Sequence, residues 1–346
     1  MNKIFENFSF NPPDHYSKIR CIDMHTGGEP LRIPIEGLPE IKGDSVLEKR
    51  NYFKENYDDL RTGLMFEPRG HADMYGAIVS DSSTEDADFD VFFIHNEGYS
   101  TMCGHAIIAL TKFVFETNLL TPKTENQLTI NVPAGKIQAT AQIKEEKVTE
   151  SSFVNVPSYL YLKDKWVYIK GFGEVNFDIA FGGAFYAMVD ADRLNLSLAH
   201  DNYQQLIDLG KKIKHAVAAE YPTSHPVEPD LSFLYGTIFT GKALSPNLHS
   251  RNVCIFAEGE LDRSATGSGV SARAGLHYSK GELGINEKIT IESILGSTMT
   301  VEVIEVVDFH GTKAVIPKVS GSAFFTGQNE FWFDLEDPYK KGFIFR

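Results

Sequence analysis

The sequence predicts an α/β protein made of two related halves, each a set of strands wrapped around one central helix. Three observations predict it. First, Cys103-Gly104-His105-Ala106 is matched later by Thr266-Gly267-Ser268-Gly269, and each stretch opens a segment of helical period. Second, the segment from Ile107 to Phe115 is apolar on nearly every side, as a helix enclosed by other elements must be. Third, 346 residues are long for one core, and no low-complexity linker interrupts them, so two halves are expected to pack tightly with a cleft between them. Helix starts expose backbone N–H groups at the positive end of the dipole and favour an anion. The two matched starts are therefore expected to face each other across one site.

In chain order, residues 1–14 read as a polar lead-in without an apolar signal core. Ile19 to Met24 and Leu31 to Ile35 read as strands joined by His25-Thr26-Gly27-Gly28-Glu29-Pro30, whose glycine pair permits close backbone approach. Ser45 to Leu60 has helical spacing and many charges, and predicts an exposed helix. Strands at Tyr75 to Val79 and Asp90 to His95 flank an acidic turn. Asn96 to Ser100 then delivers the chain to Cys103 and a helix over Ala106 to Leu119. Strands at Leu128 to Val132, Lys136 to Ile143 and Phe153 to Val156 complete the first half. The second half repeats the plan. Strands at Trp166 to Ile169 and Val175 to Ile179 precede a glycine-rich entry, Phe181-Gly182-Gly183, into a further strand. An amphipathic helix over Asn202 to Ala219 and a Pro-rich loop lead to strands at Leu231 to Phe239 and Asn252 to Ala257. A helix from Gly267 to Tyr278 and strands at Ile289 to Ile291, Met299 to Val306 and Thr312 to Val319 follow. The expected domains are 1–162 and 163–321, with the tail, 322–346, adding a strand or two and able to pack back onto the first.

A net charge of −14 argues against non-specific nucleic-acid binding and against an anionic membrane surface. No apolar run approaches the roughly 20 residues that cross a bilayer. Three scattered cysteines do not make a disulfide framework and fit a reducing, cytoplasmic setting.

Cys103 is the strongest chemical candidate. At a helix start its thiolate is stabilised by the dipole and by N–H groups, which makes it a base near neutral pH or a nucleophile. Cys21 and Cys254 lie in apolar strand-like runs and read as core. His105 can hydrogen-bond a substrate, depress the Cys103 pKa, or serve structure alone. Asp262 can pair with a substrate ammonium or cap the turn. Thr266 stands opposite Cys103; its hydroxyl has no accessible pKa, so it hydrogen-bonds or fills space but cannot be a proton-transfer base. Gly267 and Ser268 offer donors for a carboxylate. His71-Ala72-Asp73, and His25 with Glu29, are weak metal patterns with no third ligand specified, and no metal is expected. The glycine pairs form neither GxGxxG nor a P-loop, so no nucleotide cofactor is expected.

Together, Met102-Cys103-Gly104-His105, Asp262-Arg263-Ser264-Ala265-Thr266-Gly267-Ser268-Gly269, His25-Thr26-Gly27-Gly28-Glu29-Pro30, Pro68-Arg69-Gly70-His71 and Phe181-Gly182-Gly183 resemble the proline racemase family. The resemblance runs from about Arg20 to Phe343. It implies an α+β fold of two similar domains, each a curled, mostly antiparallel sheet around a central helix, as in diaminopimelate epimerases. It also implies an active site in the cleft and no cofactor. Racemases and epimerases of the family carry Cys at both helix starts, the second within Asp-Arg-Ser-Pro-Cys-Gly-Thr-Gly. Thr266 at that place is similar to the trans-3-hydroxy-L-proline dehydratase branch, and Ala265 replaces the usual Pro, which is expected to leave the turn less rigid.

By position, the resemblance makes Cys103 the proton acceptor with Thr266 opposite, and makes Gly104, His105, Asp262, Gly267 and Ser268 substrate-binding. It implies a hydro-lyase that uses Cys103 to take the α-proton of trans-3-hydroxy-L-proline and yields Δ1-pyrroline-2-carboxylate. Two readings compete: a racemase or epimerase with water or another side chain as second acid, and a non-catalytic amino-acid-binding protein. The partner expected is a small hydroxyproline substrate, with no nucleic acid and no membrane. The sequence is silent on oligomeric state and leaves a homodimer open.

Overall fold

The computed structural model describes residues 5, 6 and 8–345, so part of the expected polar lead-in lies outside the described residues. Among the described residues, eighteen strands and four α-helices follow one plan used twice. In the first half, β1 (Ser17–Thr26) pairs antiparallel with β2 (Glu29–Glu36), and α1 (Val46–Met65) crosses over to β3 (Tyr75–Asp81), parallel to β2. Next, β4 (Phe89–His95) and the short β5 (Gly98–Ser100) lead into α2 (Gly104–Thr117). Then β6 (Gln127–Val132), parallel to β4, is followed by β7 (Gly135–Lys144) and β8 (Lys147–Val154).

After β9 (Tyr159–Ile169) the second half repeats the order. It begins with β10 (Gly173–Phe181) and β11 (Phe185–Asp190); α3 (Tyr203–Glu220) then crosses to β12 (Leu234–Gly241), which is parallel to β11. There follow β13 (Ser250–Phe256), the short β14 (Glu260–Leu261), α4 (Gly267–Lys280), β15 (Lys288–Glu292) parallel to β13, β16 (Thr298–Phe309) and β17 (Thr312–Gly321). All other pairings are antiparallel. Each parallel pairing sits where a helix makes the crossover, as connection lengths require.

The halves are stitched rather than merely adjacent. β9 runs through position 162/163, β17 pairs with β8, and the tail strand β18 (Ala323–Phe333) pairs along the whole of β1. The tail therefore packs on the first half.

Each sheet curls around its central helix because that helix is buried all round. In α2, ten residues from Gly104 to Val114 are buried. In α4, every residue from Gly267 to His277 is buried. Small residues let strands approach α4: a Cβ at Gly182 would lie 2.2 Å from the Ser268 carbonyl oxygen. One core unites both central helices; a smaller one lies under α1, around Phe53, Leu64, Met65 and Phe92.

The exposed helix expected over Ser45 to Leu60 is corrected here. α1 extends to Met65 and buries one face. Its charges concealed this, because Lys49, Arg50 and Arg61 are buried along their stems with their heads paired: Lys49 Nζ reaches Asp90 Oδ2 at 2.8 Å. No helix among the described residues is long and apolar enough to cross a membrane.

Candidate active site

The two helix starts meet head to head. A Cβ on Gly104 would lie 2.6 Å from Gly267 Cα, and one on Gly267 would lie 2.7 Å from Gly104 Cα. Only glycine at both places permits this approach. The first N–H groups of α2 and α4 therefore share one small cavity, lined by Tyr75, Cys103, His105, Tyr235, Asp262 and Thr266 among others. All seven sequence-predicted site residues lie on it.

The His25–Pro30 turn buttresses this junction. Gly27 and Gly28, at φ 61° and 94°, close a two-residue hairpin of the kind that needs positive φ twice. Thr26 Oγ1 donates to the His105 carbonyl at 2.8 Å, and Glu29 Oε2 accepts from Arg263 N at 2.7 Å, so one hairpin ties down both helix starts. Glu29 is fully buried. Burial, and then the Asp262 charge, push its carboxyl well above the usual range, partly opposed by Arg263.

Cys103 is the N-cap of α2. Its Sγ accepts from Ala106 N at 3.4 Å and lies 3.1 Å from His105 Nδ1. These contacts are the ones expected, but the expected ease of ionisation is corrected. Burial pushes the thiol well up, against lowering by the Ala106 N–H and Tyr75; the Asp262 and Glu29 carboxyls add to the rise. Desolvation by burial outweighs the helix start. Burial lowers the His105 pKa, partly opposed by Asp262, so its imidazole is neutral at pH 7.

Thr266 caps α4 at φ 66°, a left-handed conformation unusual for a β-branched residue. Asp262 holds it there. One carboxylate oxygen accepts from Ser264 N at 2.7 Å, and the other from Thr266 Oγ1 at 2.8 Å. Ser264 Oγ accepts from Thr266 N at 3.0 Å, and Asn252 Nδ2 donates to the Ala265 carbonyl at 3.0 Å. Four hydrogen bonds thus hold the turn in which Ala265 stands.

The sequence reading missed the aromatic walls. Tyr75, Tyr186, Tyr235 and Phe256 all line the cavity. Tyr186 OH pairs with Ser268 Oγ at 2.7 Å, and Tyr235 stacks on Phe256 at 5.3 Å between centroids. They come from four separate strands, and only the alternation of a strand marks them. The weak metal patterns go elsewhere. Asp73 pairs with Arg263 at 2.7 Å, His71 is exposed, and His25 stacks on Phe324. Among the described residues no three His, Cys, Asp or Glu side chains converge as a metal site. Cys21 and Cys254 are buried in strands and unpaired.

Two facing helix starts, a single thiol at one of them, and a carboxylate at the other define a site for a small molecule carrying both a carboxylate and an ammonium, next to one acid–base group. Comparison with known proteins gives the family. The proline racemase family model matches residues 21–344, and the chain belongs to the proline racemase family. A trans-3-hydroxy-L-proline dehydratase of Colwellia psychrerythraea is 51% identical, over 96% of this chain and 94% of that protein. The human trans-3-hydroxy-L-proline dehydratase is 41% identical over 95% of each chain. A 3-hydroxyproline 2-epimerase of Burkholderia multivorans is 40% identical, over 95% of this chain and 98% of that protein. Among solved structures, a hydroxyproline epimerase from Agrobacterium vitis with bound trans-4-hydroxy-L-proline superposes with a TM-score of 0.89 at 26% identity, over 96% of each chain.

Proposed function

We propose that the protein is a hydro-lyase that converts trans-3-hydroxy-L-proline to Δ1-pyrroline-2-carboxylate. The observation that carries this reading is the pair of helix starts: a thiol at one, and at the other a threonine whose hydroxyl is committed to Asp262. The substrate carboxylate sits between the N–H groups of Gly104, His105, Gly267 and Ser268. Its ring ammonium pairs with Asp262, which also removes part of the repulsion that resists Cys103 ionisation.

The Cys103 thiolate takes the α-proton. The electron pair left at Cα forms the Cα–Cβ double bond as the C3–O bond breaks. In the trans isomer that hydroxyl is on the same ring face as the α-hydrogen. Cys103 therefore returns the same proton to the leaving oxygen, and water departs. The enamine then tautomerises to the cyclic imine. Electrostatic support for the carbanion-like transition state comes from the helix starts and the ammonium. The step as balanced uses protein groups alone. The same reading takes the chain as two domains, 1–162 and 163–321, closing on the substrate, and its unpaired thiols suit a cytoplasmic setting.

The testing experiment is a panel of L-proline and its 3- and 4-hydroxy isomers, with the imine trapped as it forms. Imine is expected from trans-3-hydroxy-L-proline alone. Inverted 3- or 4-hydroxyproline without imine would favour the epimerase reading that the Burkholderia relative's name raises.

A further inference from the structure

Every residue lining the cavity is buried, Tyr235 most exposed at 7%. A charged substrate therefore enters only when the walls part. The aromatic wall is built from both halves: Tyr75 from β3, and Tyr235 and Phe256 from β12 and β13. Behind this seam stands His95, the last residue of β4. Its ring stacks on Tyr75 at 5.7 Å and 16°, and meets Phe256 edge-on at 5.6 Å and Tyr235 edge-on at 6.2 Å.

His95 does not merely pack there. Its Nδ1 pairs with Glu260 Oε1 at 3.1 Å, and both side chains are buried. The N–H of Glu97 donates to the same oxygen at 3.1 Å. Arg61 fixes the turn from below by donating to the His95 carbonyl at 2.9 Å, and to the Asn96 carbonyl. Glu260 forms β14 with Leu261, immediately before Asp262. The bond thus joins the turn that leads to Cys103 with the strand that leads to Asp262.

We propose that His95 and Glu260 form a latch between the two halves that sets how often the catalytic cleft opens and holds the aromatic wall over Cys103. Both are positioning residues. Parting the walls breaks a buried imidazole–carboxylate bond, and closing restores it, so its strength biases the equilibrium. The inference rests on Cys103 being the thiol of the site. It is read without substrate, so its failure is distinguishable from failure of the dehydratase reading.

The test is site-resolved alkylation of the full-length protein by iodoacetamide at fixed pH, followed by peptide mass spectrometry. Cys21 and Cys254, each 0% exposed, serve as internal controls: Cys21 lies in the separate core under α1, and Cys254 lies beneath the wall beside Thr266. Glu260→Ala removes the acceptor. His95→Phe keeps a ring for the stack but removes the Nδ1 that meets Glu260, and carries the test if the alanine variant does not fold. Glu260→Gln retains an acceptor oxygen. Cys103 labelling is expected to rise about tenfold in E260A and H95F, to stay within about twofold of wild type in E260Q, and to leave the two control thiols unchanged. Unchanged Cys103 labelling in a folded variant, parallel acceleration of all three thiols, acceleration in E260Q equal to that in E260A, or failure of both disruptive variants to fold would overturn the latch.

Discussion

Cys103→Ser is expected to lower turnover by at least about 10³-fold while leaving KM for trans-3-hydroxy-L-proline within a few-fold of wild type. Serine is nearly isosteric, and its hydroxyl can still accept from Ala106 N, so the helix cap survives. What disappears is a group that can ionise: an aliphatic hydroxyl has no accessible pKa. The carboxylate and ammonium contacts proposed for the substrate do not involve the sulfur, so substrate binding is expected to stay. The wild-type pH profile gives the same claim a second handle. The thiol of the free enzyme is raised, chiefly by burial, so the thiolate is the minor form at neutral pH. The sign follows: kcat/KM, which reports the free enzyme, should keep climbing into the alkaline range as pH rises towards that pKa. A plateau already reached at pH 7 would contradict the assignment of Cys103 as the base, and full activity in the serine variant would remove it.

Gly104→Ala is expected to cut kcat/KM by about 10²-fold or more, although it adds one methyl group to a residue with no side-chain chemistry. The new Cβ would stand 2.6 Å from Gly267 Cα and 2.9 Å from Phe153 Cζ. The first neighbour is backbone, so relief requires the starts of α2 and α4 to move apart. That separates the two sets of N–H groups proposed to hold the carboxylate. A stability loss of about 1–3 kcal/mol should accompany it, as for other overpacked sites. Gly98→Ala is the control, since nothing lies within 4 Å of its Cβ position, although its φ of 151° keeps it from being neutral in stability. Equal activity losses in the two variants would show that the head-to-head approach is not what matters.

Both predictions concern features the sequence made legible, because helix starts carry a local signature: a polar residue, then glycine, then an apolar helical run. The repeated plan was readable for the same reason. What escaped depends on contacts that only the folded chain makes. Tyr75, Tyr235 and Phe256 are ordinary strand residues until two sheets bring them to one wall. The raised Cys103 thiol reflects desolvation and carboxyls delivered from Glu29 and Asp262, neither of them neighbours in sequence. The hydrogen bonds that hold the Thr266 turn come from Asp262, Ser264 and Asn252. The charges of α1 read as surface because their ion-pair partners, such as Asp90, are distant in the chain.

The central claim is that one acid–base group, Cys103, does all the proton transfer, because Thr266 cannot supply a second. Incubating the enzyme in D2O with L-proline isolates that claim, since L-proline has an α-proton but no hydroxyl to lose. Chiral analysis of the recovered amino acid reads the outcome. One-base chemistry predicts that any deuterium gained at Cα comes with retained L configuration, and that no D-proline forms. Accumulation of deuterated D-proline would require an acid on the opposite face and would contradict it.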